Sequence, residues 1–457
     1  MTSTLPAILP RALVLTAVTL LAGCTGTQLA VEKSARQRSS AIGEILRPKQ
    51  AMPALPELAH NSGAEEYLRY ALLKHPAVTA AFYDWRAAVE AITPARSLPD
   101  PQLTFEADIS DTLMTFMPGI MFDFMTRGKR AAMGREAAAA SEVAYRNYAT
   151  TVLRTSAAVR KAWIELAYVD EALRLREASI GAIDQSAAVN AAGYSTGRGM
   201  ASLETQVLFL NQTAQLRATI AALEDRRAAA RARFKSALGL APAETDPPWP
   251  HFALTPAPLP PEAELWRAAQ ALNPELAAMR AMVEMAVAGV EVAQKARTPD
   301  FSLGAMPDLK ADPLLVRPTA TLTLPAFWRD KIAAIIAAAE ARRDAAVARL
   351  NAEQLTLAAE LAQMLYMVRE SERMISYLET TALPNLERSI ASAEAAYQSG
   401  MSGPGMIPQT RLMALGMRLE RLDSLRQRET AVTDLLLMVA DVAPAGTPLL
   451  TAANLSK

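Results

Sequence analysis

One short kind of pattern, a period of two, interrupts an otherwise helical chain, and it occurs twice. Leu103, Phe105, Ala107 and Ile109 alternate with Thr104, Glu106 and Asp108. Ile120, Phe122 and Phe124 then alternate with Met121, Asp123 and Met125. Such alternation puts an apolar set on one face of a strand and a polar set on the other. Ser110-Asp111 and Pro118-Gly119 read as turn or strand-breaking residues. Pro99-Asp100 recurs as Pro299-Asp300, and Ala320, Leu322 and Leu324 alternate with Thr319, Thr321 and Thr323. Two hairpins at matching places imply an internal duplication of one unit.

Each hairpin leads into a long helical pattern. Tyr145, Val152, Val159, Leu166, Leu173 and Ile180 fall seven residues apart, the spacing of a sustained coiled-coil seam. A helix over 129–194 would be roughly 100 Å long at its standard rise. Gly197-Arg198-Gly199 breaks it, and a return helix is expected over 201–238. The second half repeats the plan, with strands within 299–327, a long helix over 329–397 kinked at Pro384, a break at Gly400 to Pro408, and a return helix over 409–442. The first strands lie within 99–128. The resulting units are 62–240 and 262–442, joined by the proline-rich segment 241–261, with a tail at 443–457. One very long helix flanked by two half-length partners in each half gives a bundle of antiparallel helices, hairpins at one end and glycine breaks at the other.

Composition fits that reading. Hydrophobic residues make up 51% of the chain but aromatic residues only 5%, because alanine dominates; such chains favour closely packed helices. Lysine plus arginine and aspartate plus glutamate both number 47, so the basic excess of a nucleic-acid binder is missing.

The N-terminus reads as a targeting signal, 1–23. Arg11 precedes the apolar run Ala12 to Ala22, too short to span a bilayer as a helix. It ends in Leu21-Ala22-Gly23-Cys24, which resembles a bacterial lipobox, and Cys24 is the only cysteine. Cys24 is therefore the expected lipid-attachment residue, and Thr25 after it favours the outer membrane by the same resemblance. Residues 24–61, polar with Pro48, Pro53 and Pro56, read as an extended linker. No later run is apolar enough for a transmembrane helix, so entry into a bilayer would require strands in a closed barrel.

No catalytic constellation emerges, and neither an enzyme activity, a cofactor nor a bound metal is expected. His60, His75 and His251 are far apart in sequence, and Gly197-Arg198-Gly199 lacks the rest of any phosphate-binding loop. Methionine is the unusual residue: Met114, Met117, Met121 and Met125 crowd the first hairpin, and Met200, Met401 and Met406 lie at the breaks. Thioethers suit Cu(I) and other soft ions. Without supporting histidine or cysteine, the reading kept is that these residues fill apolar space and face lipid.

The duplicated order of helix, hairpin, long helix and return helix resembles the TolC-like outer-membrane efflux proteins. The residues that carry it are Leu98-Pro99-Asp100-Pro101 and Gly128-Lys129-Arg130 around the first hairpin, and Leu324 to Lys331 (LPAFWRDK) after the second. Tyr194-x-x-Gly197 and Tyr397-x-x-Gly400 end the long helices. The lipobox resembles the lipoprotein branch of that family. The resemblance implies a mainly α fold with a small β-barrel part: duplicated long helical hairpins form an α-barrel tunnel through the periplasm. Four strands per protomer join a 12-stranded barrel in a homotrimer. It further implies an outer-membrane, lipid-anchored channel in a tripartite efflux system, with a periplasmic adaptor, an inner-membrane transporter and outer-membrane lipids as partners. Leu103, Phe105, Ala107 and Ile109 are then expected to face lipid. Tyr194, Gly197, Gly199, Tyr397, Gly400 and Gly403 are expected at the periplasmic tip where the adaptor docks. The alternatives are a type I secretion channel and a non-conducting helical scaffold lipoprotein.

Overall fold

A computed structural model describes residues 30–110, 113–195, 203–254, 256, 259–308, 315–327, 329–399, 401 and 406–441. Cys24, Gly197, Gly199, Gly400 and Gly403 lie outside these residues. The elements are α1 (Ala30–Leu46), α2 (Ala64–Lys74), α3 (Pro76–Glu90), α4 (Ile92–Arg96), β1 (Gln102–Ser110), β2 (Leu113–Phe124), α5 (Arg127–Ser195) and α6 (Leu203–Ala237). The second half holds α7 (Glu262–Leu272), α8 (Pro274–Lys295), β3 (Phe301–Asp308), β4 (Leu315–Leu322), α9 (Arg329–Tyr377), α10 (Leu383–Gln398) and α11 (Met406–Met438). The two halves therefore follow one plan. The fold divides into two compact units, one with the chain up to Ile45, Ala80–Tyr148 and Glu275–Glu353, the other with Leu46–Thr79, Ala149–Pro274 and the chain from Gln354.

The first unit holds the sheet. Its helical core is a cluster of rings: Trp85 stacks on Tyr148 with centroids 5.6 Å apart and lies 5.0 Å from Tyr145, and Phe82 meets Tyr148 edge-on. Offset and edge-on arrangements are those that the ring quadrupoles favour.

The same unit corrects the linker reading of residues 24–61. Ala30–Leu46 within it is a helix with Ala35, Ile42 and Leu46 buried. Its anchor is Glu32, whose side chain is fully buried and accepts from Arg96 Nε at 2.7 Å, Thr93 Oγ1 at 2.9 Å and Arg36 Nε at 3.3 Å. Burial pushes the Glu32 carboxyl up, but the hydrogen bonds from Arg96, Thr93 and Arg36 outweigh it and leave the group below its ordinary value. Arg36 also pairs with Glu90, so α1 is tied to both α3 and α4.

In the second unit Tyr67, Leu68 and Ala71 of α2 pack with Val159 and Leu166 of α5 and with Phe234 of α6. The Tyr67 hydroxyl donates to the Pro248 carbonyl, and burial pushes its pKa up to about 12. Phe252 of the proline-rich connection sits edge-on to Trp163 and Phe234, which pins that connection to the helices. The heptad positions Val152, Val159, Leu166 and Leu173 are all buried. Gly239 has φ +76°, and a Cβ there would come 2.7 Å from the His75 Cα. Only glycine fits that turn without strain.

Between α9 and α10 one π turn, Leu378–Ala382, precedes Pro384. A proline removes one helical N–H and crowds the preceding turn, and an inserted π turn is a common way to absorb such a defect. Ion pairs then lace α11 to this arm: Arg421 to Glu379, Arg418 to Glu387 at 3.7 Å, and Arg411 to Glu394 at 3.0 Å.

Candidate functional site

The candidate site is the four-stranded antiparallel sheet, ordered β1-β2-β3-β4. Its register fixes which residues share a face. Leu103 pairs with Ile120 and Phe105 with Pro118; Phe122 pairs with Leu303 and Phe124 with Phe301; Leu303 pairs with Ala320 and Phe301 with Leu322. Because side chains alternate along each strand, these residues form one continuous apolar face. Leu103 is 67% exposed and Phe105 58%, and Ile120, Phe301, Leu303 and Leu322 are exposed as well. An apolar face this continuous and this open needs a partner surface.

The opposite face carries Gln102, Thr104 and Glu106 on β1, Met117, Gly119, Met121 and Asp123 on β2, Ser302, Gly304, Met306 and Asp308 on β3, and Arg317, Thr319 and Thr321 on β4. Gln102 donates to Asp123 at 2.9 Å, Ser302 donates to the same carboxylate at 2.5 Å, and Arg317 reaches Asp308 at 3.4 Å. Polar side chains thus tie neighbouring strands together on this side. At the foot of the sheet Lys129 of α5 pairs with Asp300 just before β3, locking the first long helix to the second hairpin.

Of the expected lipid-facing positions, Leu103 and Phe105 are exposed on the apolar face, and the backbones of Ala107 and Ile109 pair with Phe116 and Met114. Ile120, Phe301, Leu303 and Leu322 join that face from the other strands; alternation in the sequence marked Ile120 and Leu322, whereas Phe301 and Leu303 became visible only through the pairing of β3. Pro118-Gly119 is not a break, in contrast to the expectation: both lie inside β2, paired with Phe105 and Thr104. The pairing of β2 with β3 begins only at Ile120, so Pro118 has a ladder on one side alone, where its missing N–H is tolerated.

Tyr194 is 63% exposed one residue before α5 ends, and Tyr397 lies in the last turn of α10. Near the first break Asn190 donates to Gln206 at 3.1 Å, joining α5 to α6, and Arg411 of α11 donates to Gln185 of α5 at 3.3 Å. No helix among the described residues is long and apolar enough to cross a membrane.

The sheet, with one apolar and one polar face, feeds duplicated long helices, a fold that this chain shares with solved outer-membrane channels. Residues 265–440 match the family model described as outer membrane efflux protein. Among solved structures, a membrane protein from Pseudomonas aeruginosa is 17% identical, with a TM-score of 0.69 over 84% of this chain and 91% of that one. The outer membrane protein VceC of Vibrio cholerae is 18% identical, with a TM-score of 0.67 over 82% and 95%. The MtrE outer membrane channel of Neisseria gonorrhoeae, in its open state, is 15% identical, with a TM-score of 0.69 over 82% and 88%. No curated protein matches in sequence.

Proposed function

We propose that this channel is the outer-membrane component of a tripartite efflux system, passing substrates received from an inner-membrane pump through a periplasmic adaptor. The observation that carries the reading is the two-faced sheet with free edges: among the described residues β1 and β4 each pair on one side only. Open edges seek further strands, and four strands are too few to close a barrel, whose practical minimum is about eight. Three copies would supply twelve. The strands have 9, 12, 8 and 8 residues, close to the roughly 9–11 that a tilted spanning strand needs. Cys24 would carry the lipid that holds the N-terminus at the outer membrane.

The chain direction assigns the other end. Each long helix begins at a hairpin, so the breaks after Tyr194 and Tyr397 fall at its far end and form the periplasmic tip where the adaptor docks. Single cysteines placed along β1 and β4 of a Cys24-containing chain test the assembly. Oxidation should link β1 of one subunit to β4 of the next and give covalent trimers. Covalent dimers as the end point, or links only within a subunit, would contradict it.

A further inference from the structure

Three methionines lie on the polar face of the sheet. The register puts Met117, Gly119 and Met121 of β2 on the same side as Glu106, Asp123 and Asp308, opposite to Leu103, Phe105 and Ile120. Ile120 pairs with Ala305, so Met306 of β3 is the next neighbour of Gly119. Gly119 has no side chain, and Met306 occupies the space: a Cβ at Gly119 would stand 2.1 Å from the Met306 Cγ and 3.1 Å from its Sδ. The Met306 sulfur therefore lies over Gly119, flanked by Met117 and Met121, each two residues away along the strand, or about 7 Å. Methionine has three rotatable bonds and a polarizable sulfur, so the outer two can turn toward the central one. Met117 is only 1% exposed, so its thioether is held beneath its neighbours rather than offered to lipid.

The surrounding charges suit a cation. Glu106 pairs directly with Met117 across the strands. Arg317 stands opposite Met306 but reaches for Asp308 at 3.4 Å, which offsets its charge. Among the described residues no three His, Cys, Asp or Glu side chains meet as a metal-binding group, so the ligand set selects for softness. We propose that Met117, Met121 and Met306 form a three-thioether site for a soft monovalent cation, Cu(I) or Ag(I), on the polar face of the sheet. Thioether ligands select such ions over hard ones. As a station in transport the site rests on the reading of this face as the lumen of a pore; as a binding site it does not.

The test is Ag(I) binding to the purified full-length protein in chloride-free nitrate buffer, with Met117→Leu, Met121→Leu, Met306→Leu and the triple variant. Leucine keeps the volume close to that of methionine. Met374→Leu and Met413→Leu, exposed positions on α9 and α11, serve as controls. Each single variant should weaken the tightest Ag(I) binding by about ten-fold or more, the triple should abolish it, and the controls should leave it unchanged. Equal tight binding in the triple variant, or none in the wild type, would overturn the site. Conductance in a planar bilayer separates the two readings. An open pore whose protein binds no Ag(I) overturns the site alone, whereas methionine-dependent binding without conductance upholds the site and overturns the channel.

Discussion

Gln102 of β1, paired with Met121, reaches diagonally to Asp123 of β2, and its amide donates to Asp123 Oδ2 at 2.9 Å. One residue along, Leu103 faces Ile120, and both are exposed on the other side. A single step along the strand thus exchanges a hydrogen-bonded polar pair for an open apolar one. In a barrel the first pair would face the lumen and the second the lipid.

That division predicts the response to charge. An arginine on the lipid face costs about 2–4 kcal/mol at the bilayer midplane, while lumen positions tolerate it. Phe105→Arg should reduce assembled outer-membrane protein, measured as heat-labile oligomer on a gel, and Thr104→Arg should leave it near the wild-type amount. Equal tolerance at both positions would mean that the hairpin lies outside the membrane.

Gly304 is the less forgiving of two sheet glycines, because its neighbours include backbone. A Cβ there would meet the Ile120 carbonyl at 2.8 Å and Thr319 Oγ1 at 2.6 Å, whereas at Gly119 the neighbours are the side chains of Met306 and Thr104. A backbone carbonyl held in a ladder cannot turn aside. Gly304→Val should cost about 1–3 kcal/mol by overpacking and lower the Tm more than Gly119→Ala does. The reverse order would contradict the register.

The strand faces were legible because alternation is local: Leu103 to Ile109 and Ile120 to Phe124 carry their own period. The burial of Val152, Val159, Leu166 and Leu173 likewise follows from a seven-residue spacing. Helix α1 was not legible, because its docking depends on Glu32 meeting Arg96 and Thr93 from distant sequence. Pro118-Gly119 misled for a related reason. Both residues are breakers by local propensity, but pairing with Phe105 and Thr104 overrides it, and the space at Gly119 is used by Met306 from the other half of the chain. The methionine grouping is of the same kind, since the register between β2 and β3 is set by tertiary pairing.

Glu32 makes the docking of α1 dependent on pH. Its folded pKa lies below the ordinary value, so its contribution is fully present above the usual carboxylate range and is lost as the pH falls through the depressed folded value. Removing one partner of a buried pair costs about 3–5 kcal/mol. Glu32→Gln should speed hydrogen exchange in α1 at pH 7, and the difference from wild type should vanish in acid. A difference that persists unchanged at low pH would show that the charge is not the cause.

The tip assignment predicts a separation of assembly from docking. Replacing Gly197 and Gly400 with bulky residues should leave the oligomer intact but weaken cross-linking to the adaptor and export of its substrates. Unchanged cross-linking and export in an intact oligomer would place the docking surface elsewhere.

The central claim is that three copies of this two-faced sheet close a pore in the outer membrane. Single-channel recording of the purified protein in a planar bilayer tests it most directly. Discrete, long-lived conductance steps are expected, lost in Phe105→Arg and kept in Thr104→Arg. Protein that inserts yet passes no current, or steps that are unchanged by Phe105→Arg, would contradict it.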